Sequence, residues 1–249
     1  MTLEAFGIIN GLSGLAIFLV GLICCLDFLR KYVISRKRRV LLTGLAMFGM
    51  GGSWFGVSIA FLTALQDNPI SQRNYILLMS WAPALAGTLW VFLGFLIIKP
   101  KYKFHALAVM LVVSIFYLVQ MYLLFPFADK TVEGDTIRFE DFAEVGEHGG
   151  LPDMSYEGLV QILVAFYIAI LLLFVGPMFL YTSFTAEKEE TRVRSRIIGL
   201  GMVIFSLGAF VDGLLASELP ILFISRLMVL IGISLTYMGY TAVWQRFFS

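Results

Sequence analysis

The chain has 249 residues, of which 59% are hydrophobic and 14% charged, with a formal net charge of +1. A soluble domain is about 45–50% apolar and about 25% charged, so this composition and a mean hydropathy of +0.89 exclude an ordinary soluble domain and a disordered chain. A polytopic membrane protein remains.

About 20 apolar residues are needed to cross a bilayer as a helix. Seven stretches meet that length, predicted at about 5–28, 40–65, 75–98, 104–125, 157–182, 197–217 and 220–244. They are too long, and alternate too little, to be strands of a transmembrane barrel. The fold class is therefore an all-α integral membrane protein, a bundle of seven transmembrane helices forming a single domain over 1–249.

The first span follows "MTLEAFG", which has an acid instead of a basic leader, so it reads as a helix and not as a cleavable signal. It holds Asn10 in its outer half, and Cys24 and Cys25 near its inner end. Adjacent cysteines rarely form a structural disulfide, which leaves core or lipid-facing thiols, with S-acylation as the minor alternative. The second span contains Gly44, Gly49, Gly51, Gly52 and Gly56 around Trp54, and the first has Gly7 and Gly11 at four-residue spacing. Small residues so spaced permit close helix packing, and a homodimer face is their second reading. The third span carries Trp81 two residues before Pro83, which removes a backbone bond and offers room for a cavity. Tyr117 and Gln120 lie in the fourth span and Gln161 at the start of the fifth.

Between the fourth and fifth spans, residues 127–155 hold eight acids against two bases. Within them "TVEGDTIRF" alternates about Gly134-Asp135, a hairpin signal for a segment lying across the bundle mouth; a solvated connector is the equal alternative. The acid spacing is not that of an EF-hand.

Lys and Arg set the orientation. "RKYVISRKRR", "KPKYK", "EKEETRVRSR" and Arg246 together place 14 bases on one side, against Arg73, Lys130 and Arg138 on the other. The N-terminus is expected outside and the C-terminus inside. The basic loops suit anionic lipid headgroups, with a cytoplasmic or membrane protein partner as the second use.

An offset of 155 residues aligns Val20-Gly21 with Val175-Gly176, Arg39 with Arg194, Gly44-Leu45 with Gly199-Leu200, Met47 with Met202 and Phe55 with Phe210. These matches suggest parallel repeats in a 3+1+3 plan. The plan resembles sugar transporters of the SWEET and PQ-loop class, although their Pro-Gln pair is absent.

The seven lysines are read as loop residues, which excludes a retinal Schiff base in the bundle. His105 and His148 are placed too peripherally for a haem or an oxidase-type metal centre. No hydrolase, zinc-protease or P-loop motif occurs, nor any nucleic-acid-binding module. The chain is read as not an enzyme, with no cofactor.

One pair of charges remains inside the spans. Asp212 lies seven residues before Leu219 and Arg226 seven after it, so both are expected about 10 Å from the turn at Pro220. Unpaired charges at that depth are costly, so mutual pairing is expected. The pair either fixes two helices together or faces an outer pocket. In the second case Asp212, Arg226, Trp81, Gln120, Gln161, Asn10, Trp54 and Tyr117 are the candidate ligand-binding residues, with Arg226 free to hold an anion bidentately.

The order of features in "LLLFVGPMFLYTSFTAEKEETRVRSRIIGLGMVIFSLGAFVDGLLASELPILFISRLMVLIGISLTYMGY" is an Arg-rich loop, an acid late in the next helix, then a short turn into a glycine-containing helix. Over residues 171–240 it resembles the seven-helix sensor domains found at the N-terminus of some prokaryotic histidine kinases. The resemblance implies a prokaryotic plasma membrane and a receptor-like or sensory role. The chain stops at "WQRFFS", so a stand-alone or truncated input module that signals through a partner is expected. A small-solute transporter and an accessory subunit of a larger membrane complex are the alternatives.

Overall fold

A computed structural model describes residues 3–133, 136–215 and 218–241. Nine α-helices and four strands occur among them: α1 (Ala5–Ser35), α2 (Arg38–Gly52), α3 (Phe55–Ala64), α4 (Gln72–Ile98), α5 (Lys103–Val119), β1 (Lys130–Glu133), β2 (Thr136–Phe139), β3 (Ala143–His148), β4 (Leu151–Tyr156), α6 (Gly158–Ile170), α7 (Gly176–Thr185), α8 (Glu189–Leu215) and α9 (Leu219–Tyr240). A π-helical turn, Gln120–Leu124, extends α5. Another, Leu171–Val175, joins α6 to α7 into one span. Six helical segments are long and apolar enough to cross a membrane, or seven if the bent pair α2–α3 is one span.

That bend divides the stretch expected as one span over 40–65 into two helices. The axes of α2 and α3 differ by 51°. The break falls after Gly51-Gly52, at Ser53 and Trp54, where glycine and serine hold the helix weakly and kinks are common. Lysine placement needs a correction. The first helix runs to Ser35 instead of 28, so Lys31 is helical and pairs with Asp27, which also accepts a hydrogen bond from the Tyr237 hydroxyl at 2.8 Å. Lys103 likewise opens α5.

Glycines bring the helices together from within the chain. The Cα of Gly51 lies 2.7 Å from where a Cβ on Gly21 would sit, so α1 and α2 touch backbone to backbone. In a bilayer such contact supplies van der Waals attraction that no apolar driving force replaces. Gly52 packs on Trp81 and Gly56 on Met79, while Gly7 and Gly11 meet Gly149 and Phe61. These four glycines are thus filled by their own chain.

The four strands form one antiparallel sheet in the order β1-β2-β3-β4. Glu133 pairs with Thr136 across the expected turn, whose residues Gly134 and Asp135 lie outside the described residues. His148 pairs with Leu151 across Gly149-Gly150, both with positive φ (61° and 82°), the conformation that a two-residue hairpin turn requires. Strand parity puts Ile137, Phe139, Ala143, Val145, Met154 and Tyr156 on one face and Glu144, Gly146, His148, Asp153 and Ser155 on the other. Arg73 of α4 anchors the apolar face. It donates to the carbonyls of Pro126 (2.7 Å) and Ala128 (3.4 Å), and lies over the rings of Phe125 and Phe139. The sheet therefore stands folded into one end of the bundle, and the basic loops gather at the other.

Gly51→Val is expected to lower the melting temperature in nanodiscs, because overpacking a close contact costs about 1–3 kcal/mol and here the obstacle is backbone. Gly213→Ala on α8 meets nothing within 4 Å and is expected to raise stability slightly, by about 0.5–1 kcal/mol of helix propensity.

Candidate functional site

Between the polar face of the sheet and helices α1, α3, α4, α6, α8 and α9 lies a cavity of about 600 Å³. Its size falls within the range of about 300–1,000 Å³ typical of small-molecule sites. Its floor is an ionic cluster. The Arg226 Nε donates to Asp212 Oδ1 at 2.7 Å, and the Asp212 side chain is only 12% exposed. Trp54 Nε1 donates to the other carboxylate oxygen at 3.0 Å, and the Ser225 hydroxyl donates to Oδ1 at 3.1 Å. Arg226 Nη2 donates to Asn10 Oδ1 at 2.8 Å, and the guanidinium lies 5.5 Å from the Trp54 ring centroid. Local structure explains the convergence. The α2–α3 bend turns the Trp54 indole inward, and the short α8–α9 connection sets Asp212 beside Arg226.

Beyond this floor the bundle is solid. Ile17, Met47, Met50, Trp90, Met202 and Ile233 are fully buried there.

Five of the eight candidates line the cavity: Asn10, Trp54, Gln161, Asp212 and Arg226. Three do not. Trp81 packs against Phe48 and Gly52, with ring centroids 5.1 Å apart. Tyr117 is fully buried behind the wall, edge-on to Tyr167 at 5.7 Å. Gln120 opens the π-helical turn, half-buried and away from the cavity. In each case helix rotation decides, because depth alone does not say which way a side chain points. The expectation that Arg226 holds an anion bidentately is also corrected. Its Nε and Nη2 are committed to Asp212 and Asn10, and Nη1 is enclosed near Gly14 of α1 without a partner among the described residues.

Several lining residues had no candidate status in the sequence: Tyr75, Glu144, His148, Asp153, Tyr156 and Tyr167. Asp153 is the most informative of them. It retains accessible surface, and its parity on β4 turns that surface toward the cavity. Burial holds its carboxyl above the usual carboxylate range, opposed by the Met154 N–H (3.0 Å) and by the charge of Arg226. Burial also pushes the Tyr156 hydroxyl up to about 12, with Ser80 and Tyr117 beside it pulling the other way.

The cavity also has a side. Gln161, Val164, Ala165 and Ile168 of α6 face Phe205, Ala209, Phe210 and Gly213 of α8, and Gln161, Ala165 and Phe210 are exposed. Toward the basic end the same two spans close tightly. A Cβ on Gly176 would lie 2.8 Å from Val203, and one on Gly199 would lie 2.8 Å from Leu180. The spans therefore diverge from the π-helical turn toward the sheet, and the gap between them flanks the cavity.

Fold and composition together define the class: an integral membrane helical bundle whose one end is closed by a small β-sheet over a cavity. The chain matches no family model, and no curated protein matches it.

Asp212→Asn and Arg226→Gln are each expected to destabilise the protein by about 3–5 kcal/mol, since either leaves a buried charge uncompensated. The double variant is expected to regain part of that loss in thermal unfolding. Asp153 predicts the opposite sign. A carboxyl whose folded pKa is raised adds stability fully below its unfolded value of about 3.9, and loses it as pH rises through the folded value. Asp153→Asn is therefore expected to melt higher than the wild type at neutral pH. That gain should vanish in a melting series taken below about pH 3.9.

Proposed function

We propose that this chain is a receptor-like seven-helix membrane protein that holds a small amphipathic ligand between its sheet and its bundle. The cavity carries the reading: it has the size of a ligand site, an aromatic wall of Trp54, Tyr75, Tyr156, Tyr167 and Phe205, and a polar floor. A packed core beneath the floor is what a binding site needs and a conduit does not. Output through a partner follows from the resemblance to sensor domains over residues 171–240. The orientation proposed is N-terminus outside on the 14-to-3 bias of the basic loops, which puts the sheet and the cavity outside and the lipid-binding loops inside. The 3+1+3 repeat belongs to the same proposal as the plan on which the two halves of the bundle are built.

Ala209 lines the cavity, so Ala209→Trp fills it. In nanodiscs, an environment-sensitive fluorescent amphiphile is expected to brighten on the wild type and not on Ala209→Trp, with both proteins melting alike. Equal brightening by both would remove the cavity as the site. Solute uptake into proteoliposomes would replace the receptor by the transporter. For orientation, a thiol probe applied from outside intact cells should label Glu140→Cys and not Lys101→Cys; the reverse pattern would invert the topology.

A further inference from the structure

We infer that the cavity selects an amphiphile with a positively charged, ammonium-type head, drawn from the bilayer through the gap between α6 and α8. This rests on the reading of the cavity as a ligand site and adds the chemical class of its ligand.

The first observation is the balance of charge. Glu144, Glu147, Asp153 and Asp212 line the cavity, together with Arg226 and His148 and no lysine. Asp212 and Arg226 neutralise each other through the 2.7 Å ion pair. Strand parity turns Glu147 to the other face, so Glu144 and Asp153 remain on the inward face with His148, whose ring lies against Phe6 at 4.1 Å. Asp153 has no ion-pair partner among the described residues, its surface faces the cavity by strand parity, and an arriving cation favours its ionised form. Arg226 presents no open hydrogen-bonding edge to an anion, because Nε and Nη2 are held by Asp212 and Asn10 and Nη1 is enclosed near Gly14.

The second observation is independent of the acids. Tyr75 is 2% exposed and lines the cavity, yet its hydroxyl makes no hydrogen bond among the described residues. That hydroxyl lies within electrostatic reach of Asp153, Arg226, Asp212 and Tyr156, which all line the same space. A hydroxyl that borders the cavity with its hydrogen-bonding capacity unused is available to a ligand polar group. An ammonium N–H donates to the Tyr75 oxygen and to the Asp153 carboxylate, and the surrounding aromatic faces favour a cation. No three His, Cys, Asp or Glu residues among those described converge as metal ligands do, so an organic cation suits this wall better than a metal ion.

The third observation concerns the apolar part of the ligand. From the cavity, Val164, Ile168 and Leu171 on one span and Phe205, Ala209 and Phe210 on the other form an apolar slot. It lies along the gap that widens from the π-helical turn. A hydrocarbon chain seated there stays in contact with the bilayer while its head reaches the polar face of the sheet.

Three brominated probes of one chain length, an alkyl amine, an alcohol and a carboxylic acid, separate these claims. In nanodiscs, bromine in the cavity quenches Trp54, and a Trp54→Phe variant supplies the background. The amine is expected to bind at least tenfold more tightly than the alcohol or the acid. Asp153→Asn should erase that preference without changing the affinity for the alcohol, and Asp153→Glu should restore most of it. A short-chain, water-soluble amine at the same free concentration should leave the quenching unchanged. If the acid binds as well as the amine, or Asp153→Asn keeps the preference, the cationic head is wrong while the cavity remains a ligand site. If the short-chain amine displaces the long one at equal concentration, the bilayer source is wrong. If no probe quenches Trp54, the cavity reading itself fails.

Discussion

Everything at the sheet end of this molecule depends on how two charges survive inside an apolar bundle. Neither Asp212 nor Arg226 could be left without partners there, because an ion in hydrocarbon costs several kcal/mol even after relaxation. The chain answers with contributions from four places: Asn10 of α1, Trp54 at the α2–α3 break, Asp212 of α8, and Ser225 with Arg226 of α9. Each hydrogen bond fixes the rotation of the element that supplies it. The ionic cluster therefore registers the helices against one another where lipid supplies no directional force.

That registration has a geometric consequence. The Trp54 indole reaches Asp212 from the break in the second span, where the glycine-rich text before it lets the helix bend by 51°. Close glycine contacts hold α1 against α2 on the side of the bend nearer the basic loops. Beyond the bend the helices separate, and the volume so opened is roofed by the sheet instead of being filled by side chains. The cavity is thus the remainder left when a packed bundle is bent around a fixed ionic floor.

Helical spans were legible in the sequence because a bilayer imposes a length, and hydropathy reports length well. The Asp212–Arg226 pair was legible for a related reason: equal distances from the turn at Pro220 imply equal depth in antiparallel neighbours. Rotation was not legible. Trp81 and Gln120 share the depth of the cavity residues but lie elsewhere around their helices, and no periodicity in so apolar a text marks the inward face. The acidic segment 127–155 was half legible, since Gly134-Asp135 announced one hairpin. Gly149-Gly150 announces another just as clearly, and placing Leu151–Tyr156 as a strand would have turned Asp153 to the face of Glu144 and Ser155. What no local rule supplies is that this polar face turns inward. That follows from Arg73, which fastens the apolar face to the neighbouring helices and leaves the acidic face to the cavity.

The placement of acids on the inward face is hard to explain as structure alone. A sheet that only capped the bundle would gain from an apolar or neutral inner face, because carboxylates gathered in an enclosed space repel one another and lose solvation. Asp153 bears that cost most directly, with burial raising its carboxyl and the neighbouring Asp212 adding to the rise. The floor shows how the same protein treats a charge that is purely internal: it surrounds Asp212 with three donors. Among the described residues, Asp153 receives only a backbone N–H from its own neighbour. Asp212, fully partnered, and Asp153, facing open space beside a Tyr75 whose hydroxyl makes no hydrogen bond among the described residues, divide the labour between holding the fold together and waiting for a partner from outside it.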